Sequence, residues 1–95
     1  MATIREQQPT SEERFSRYIE ENPFRPGLAN ARFMESGMAI WAFAGALEAA
    51  DNDVDRLARD YELSHEQVEA AIAFSQRYKE IIDDRRAANR LSATL

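Results

Sequence analysis

Residues 54–74, VDRLARDYELSHEQVEAAIAF, contain two helical patterns separated by a short polar turn. Asp53 can cap the first helix, and Ser64 can cap the second, where Gln67 completes a capping box. The apolar residues of the first pattern recur at helical spacing: Val54, Leu57, Ala58 and Tyr61. The stretch therefore predicts a helix over 54–61 and a second helix that begins after Ser64.

This pair of helices has the spacing of a helix-turn-helix. Ala58 supplies the small residue that the motif needs between its helices, and Val68 supplies the apolar contact. Glu62 stands at the turn position that glycine usually occupies, so we expect a left-handed or otherwise adjusted backbone there. The sequence predicts a helix-turn-helix with an altered turn.

The second helix of this motif would meet DNA with an unusual set of side chains. The candidate DNA-binding residues are polar or basic: Arg59, Ser64, His65, Gln67, Arg77 and Lys79. Glu66 and Glu69 belong to the same surface and would repel phosphates. These two glutamates are therefore candidates for binding a basic protein partner.

Charge and composition limit the classes of function. The 95 residues include 12 lysines and arginines against 17 aspartates and glutamates, which argues against a strong non-specific grip on nucleic acid. No cysteine, signal peptide or membrane span is recognisable, so we expect a cytoplasmic protein. With a single histidine and no catalytic or phosphate-binding motif, we expect no enzyme activity, cofactor or metal.

The N-terminal segment is predicted to precede the main domain. Residues 1–10 have the composition of a loose tail, and a short helix is expected over 10–21. The prolines of NPFRPG, residues 22–27, would stop that helix. We therefore divide the chain into a tail with a short helix, residues 1–27, and a helix-turn-helix domain, residues 28–95.

Further elements are expected before and after the opening stretch. Two very short strands should flank the turn at residues 35–37, and a helix should begin near Ala39 and stop at Asp51. The apolar face of the helix after Ser64 persists toward Leu91, which predicts a continuous helix of about 40 Å.

Apolar residues between 33 and 47 are candidates for the core or for a dimer interface: Phe33, Met38, Ile40, Trp41, Phe43 and Leu47. The helix that contains Trp41, together with the long C-terminal helix, offers more apolar surface than one small bundle can bury. We therefore predict a homodimer.

Two stretches, ARFMESGMAIWAFAGALE (31–48) and VDRLARDYELSHEQVEAAIAFSQRYKEIID (54–83), resemble the domain-of-unknown-function 433 family, which includes VapB-type antitoxins. The resemblance covers about residues 25–86. The chain departs from the family pattern at Glu35 and Gly37, where the family more often has glycine and arginine. The residues in common are Arg32, Phe33, Met38, Ile40, Trp41, Val68, Ala71, Ile72, Phe74, Ile82 and Asp83.

This resemblance implies a mainly α fold, a small homeodomain-like three-helix bundle with a short preceding β element that commonly mediates dimerisation. It also implies an antitoxin-like component of a type II toxin–antitoxin system, which binds a PIN-like ribonuclease toxin and, as a dimer, its own promoter DNA. Two alternatives stay open. One is a stand-alone DNA-binding transcriptional regulator, and the other is a protein-interaction or assembly module without DNA binding.

Overall fold

The computed structural model describes the backbone of residues 16–94, with side chains up to Leu91. This part of the chain is mainly helical and contains a two-stranded sheet. After the helical residues 16–18 come strand β1 (Ile19–Glu20), a 3-10 helix (Leu28–Asn30) and strand β2 (Arg32–Phe33). Four α-helices follow: α1 (Ile40–Ala49), α2 (Val54–Tyr61), α3 (His65–Arg77) and α4 (Lys79–Thr94).

The sheet differs from the sequence prediction in its pairing. β1 runs antiparallel to β2, with Ile19 opposite Phe33, whereas the sequence predicted a helix through these β1 residues. The first part of that predicted helix, residues 10–15, lies outside the described residues. The helix prediction is wrong at β1 because pairing satisfies the backbone there and buries Ile19, which is 5 % exposed.

The predicted turn at residues 35–37 is present, but it does not join two regular strands. Phe33 N donates to Met38 O, and Gly37 accommodates the turn with a φ of 76°. Beyond the turn only an isolated bridge forms, between Ala39 and Arg32. The second predicted strand is therefore reduced to one bridge, because the chain enters α1 at Ile40.

The predicted α1 is confirmed at both ends. Ala39 is its N-cap, and the helix ends where Asp51 and Asn52 adopt left-handed conformations with φ values of 54° and 58°. One face of α1 enters the core through Ile40, Phe43, Ala44 and Leu47. The apolar run thus forms a helix that lies across the middle of the bundle.

The boundaries of α2 and the start of α3 also agree with the sequence prediction. The Asp53 carboxylate accepts a hydrogen bond from Arg56 N, which caps α2. Glu62 ends α2 in a left-handed conformation, with φ 57° and ψ 47°. The N–H of the next residue, Leu63, then donates to Ala58 O at 2.9 Å, so the turn between α2 and α3 is tight.

The long helix predicted as far as Leu91 is wrong, because the chain breaks at Tyr78. This residue has φ −114° and ψ 40° and separates α3 from α4. The break redirects α4 so that Ile82, 1 % exposed, joins the core. A straight helix would carry this side chain away from the bundle, so its burial accounts for the break.

Aromatic contacts join the sheet to the helices. The Phe33 and Phe43 rings meet edge to face with centroids 5.3 Å apart, and Phe43 meets Tyr61 in the same way at 5.1 Å. These contacts join β2 to α1 and α1 to α2. Within residues 16–94, no helix is long and apolar enough to cross a membrane.

The left-handed Glu62 leads to a stability prediction. Glu62→Gly should raise the free energy of unfolding by about 0.5–1 kcal/mol, because glycine adopts this conformation without a clash of its Cβ. Glu62→Val should lower it by about 1 kcal/mol, since a β-branched side chain is least suited to positive φ. Urea denaturation followed by circular dichroism measures both changes.

Glu69→Gly is the matched control, because Glu69 lies inside α3. There glycine should lower the free energy of unfolding by about 1 kcal/mol. Equal effects of glycine at the two positions would contradict the left-handed turn.

Candidate interaction surface around α3

The first turn of α3 is built around a reciprocal cap. Ser64 Oγ accepts a hydrogen bond from Gln67 N at 3.0 Å, and Gln67 Oε1 accepts one from Ser64 N at 2.7 Å. This is the capping box that the sequence predicted. Both side chains were also candidate DNA-binding residues, but their oxygens are already engaged in holding the helix end.

Two other candidate DNA-binding residues lie beside carboxylates. His65 Nε2 is 3.0 Å from Asp55 Oδ1, which joins the start of α3 to the start of α2. Arg59 Nε is 3.8 Å from Asp60 Oδ1, and Arg56 Nε approaches the same carboxylate at 3.5 Å. All of these side chains are largely exposed, so the pairs are weak, but each basic group faces a nearby negative charge.

The candidate partner-binding residues have a different environment. Glu66 and Glu69 are exposed on α3, and neither carboxylate forms an ion pair with a residue that the structure describes. Glu66 lines a shallow crevice with Arg59 and His65. Two exposed carboxylates on α3 therefore have no ion-pair partner among the described residues.

Arg77 is the last residue of α3, a helix of 13 residues and therefore about 20 Å long, and Lys79 is the first residue of α4. The Arg77 guanidinium lies 5.7 Å from the centre of the Tyr78 ring. Lys79 Nζ donates a hydrogen bond to Asp83, and this bond, together with the charge of Asp83, raises the pKa of Lys79 above the ordinary value of a lysine. The six candidate DNA-binding residues thus divide between two ends of α3.

The structure adds Arg17 and Tyr18 to the surface at the start of α3. Together with Met34 they line a crevice that also includes Glu35, Ser64 and Gln67. Met34 N donates to Tyr18 O at 3.0 Å, which extends the contact between β1 and β2 toward α3. Sequence patterns could not place Arg17 here, because a two-residue strand leaves no periodic signal.

The candidate core and dimer residues mostly lie inside a single chain. Phe33, Ile40, Phe43 and Leu47 are at most 4 % exposed, whereas Met38 and Trp41 are partly buried. The Arg85 guanidinium lies 4.4 Å from the centre of the Trp41 ring, and Arg85 Nε donates to Asn30 Oδ1 at 3.3 Å. Because its own chain covers the indole, Trp41 offers little free surface to a second copy.

The capping box leads to a second prediction. Ser64→Ala should lower the free energy of unfolding by about 1 kcal/mol, because Gln67 N loses its acceptor at the start of α3. Gln76→Ala, at an exposed position of the same helix, should be neutral within about 0.5 kcal/mol. Chemical denaturation compares the two variants. Equal stabilities would show that the Ser64 hydroxyl contributes nothing to the cap.

Comparison with known proteins does not assign a family. No family model matches the chain, and no similar curated protein or solved structure was found. The resemblance to the domain-of-unknown-function 433 family therefore stays a prediction that rests on the residues quoted above.

Proposed function

We propose that this protein is an antitoxin-like component of a type II toxin–antitoxin system. In this proposal α2 and α3 form the helix-turn-helix of a homeodomain-like bundle, and the exposed start of α3 binds a basic surface of a PIN-like ribonuclease toxin. The observation that carries the proposal is the exposure of Glu66 and Glu69 without ion-pair partners among the described residues. The resemblance supplies the class of toxin.

The charge distribution favours a protein partner over the DNA backbone. Ser64 and Gln67 are engaged in the cap, and His65 lies beside Asp55. The two unpaired carboxylates would repel phosphates, but they would attract a basic patch and speed its association. A chain with a net charge of −5 adds to the same preference.

DNA binding is the second activity that we propose, and Arg17 is the observation in its favour. Its side chain lines the crevice at the start of α3 with Ser64 and Gln67, and the Glu35 carboxylate lines the same crevice. A helix N-terminus with a neighbouring guanidinium suits one phosphate oxygen of a DNA strand. One such contact is weak, so operator binding would require a dimer that places two α3 helices on one DNA molecule.

The test is the double substitution Glu66→Gln and Glu69→Gln. We expect weaker toxin binding and stronger DNA binding, each by about 0.5–1.5 kcal/mol at low salt, because two exposed negative charges are removed. The two binding partners are the product of the open reading frame beside this gene, which the proposal expects to be a ribonuclease, and the DNA upstream of the gene. Titration calorimetry and fluorescence anisotropy measure both affinities in the same buffer.

Glu80→Gln with Asp84→Asn is the matched control, because it removes two exposed charges from α4. It should change both affinities less than the double substitution in α3, since only overall charge is altered. Stronger DNA binding with unchanged toxin binding would favour a stand-alone DNA-binding regulator. If neither affinity responds to the α3 substitution, the proposed role of the two glutamates is wrong.

A further inference from the structure

Phe24 is the most exposed of the large apolar side chains that the structure describes, at 84 %. It lies in a tight turn after β1, in which Arg25 N donates to Asn22 O at 3.1 Å. The Asn22 side chain accepts a second hydrogen bond from Phe24 N at 2.9 Å, and Pro23 fixes the backbone between them. The turn is therefore held by its own backbone and presents the phenyl ring to solvent.

A rigid turn with an exposed aromatic ring has the properties of an interface anchor. Aromatic residues carry much of the binding energy of protein interfaces, and a fixed backbone lowers the entropy lost on association. Asn30, in the 3-10 helix that follows the turn, is tied to Arg85 of α4. The loop is thus anchored to α4 at Asn30, while the Phe24 side chain does not pack against the core of its own chain.

The chain also contains a crevice with the properties of a receptor for such an anchor. It lies between α1, α3 and α4 and has a volume of about 290 Å³. Its apolar wall consists of Ala44, Leu47, Ile72 and Ile82. The volume is at the lower limit of about 300 Å³ for small-molecule pockets, so the crevice suits one inserted side chain better than a larger ligand.

The charges beside the ring and around the crevice are complementary. Arg25, next to Phe24, forms no ion pair with a described residue. Two pairs of opposite charge lie around the crevice, Glu48 with Arg86 and Asp83 with Lys79. Asp51, which also lines the crevice, has no ion-pair partner among the described residues. The Phe24 ring with the Arg25 guanidinium beside it is therefore complementary to an apolar crevice that has the Asp51 carboxylate at its rim.

We propose that Phe24 of one copy inserts into the α1–α3–α4 crevice of a second copy, with Arg25 facing Asp51 across the interface. The exchange is reciprocal, so the two contacts close a dimer with two-fold symmetry. This contact identifies the surface of the homodimer and rests on the proposed function only in assuming that dimer. It requires neither toxin nor DNA.

The first test is the mass of the full chain in sedimentation experiments without toxin or DNA. We expect a dimer for the unsubstituted protein. Phe24→Ala should raise the dimer dissociation constant at least about 30-fold, which corresponds to about 2 kcal/mol for the two Phe24 contacts of the dimer together. Met34→Ala is the matched control, because Met34 is exposed at the opposite end of the β1–β2 pair. It should leave the dissociation constant within about threefold.

A charge exchange tests the pairing of the two surfaces directly. Arg25→Glu and Asp51→Arg should each weaken self-association about tenfold, because each homodimer then contains two like-charge contacts. Mixing the two variants should restore dimers of near-original affinity, since both contacts of the mixed dimer again join opposite charges. Circular dichroism establishes that each variant is folded.

Three results would overturn the proposal: a monomeric unsubstituted protein, a dimer that Phe24→Ala does not weaken, or mixed variants that do not associate. Because these measurements contain no toxin and no DNA, they fail independently of the proposed function. A Phe24→Ala variant that remains dimeric but no longer binds toxin would assign the turn to the toxin interface instead.

Discussion

The edge-to-face contact between Phe33 and Phe43 is the constraint on which the remaining architecture depends. A two-stranded sheet of two residues per strand is not stable alone, so β2 needs the burial of Phe33 to keep its place. Phe43 also contacts Tyr61, and this second ring contact positions α2 against α1. Because β1 is paired to β2, the same contact places Arg17 beside the start of α3.

An exposed carboxylate on α3 can stabilise the helix itself or bind a basic partner. Glu66 and Glu69 differ in which of these two roles their positions favour. Glu66 lies in the first turn, where the positive end of the helix dipole stabilises a carboxylate without any partner. Glu69 lies beyond that turn, where the dipole contributes little. Of the two, Glu69 is therefore the stronger argument for a basic partner, since local helix electrostatics do not explain it.

Features set by neighbouring residues could be predicted from the sequence, whereas features set by distant contacts could not. The caps at Asp53 and Ser64 and the unusual conformation of Glu62 follow from residues within one helical turn. Strand β1 depends on Phe33, and the break at Tyr78 depends on the return of Ile82 to the core. Neither prolines nor glycines mark these two places, so the local patterns predicted helix at both.

In the candidate site, too, local features could be predicted from the sequence and features that depend on three-dimensional contacts could not. The sequence identified Ser64 and Gln67 as cap residues and also as DNA-binding residues, and only the hydrogen-bond geometry shows that their oxygens are engaged in the cap. Two surfaces lie at opposite ends of the β1–β2 pair. Arg17 lies at the end beside α3, and Phe24 lies in the loop at the other end. Self-association through Phe24 would therefore leave the start of α3 uncovered, which the proposed antitoxin function requires.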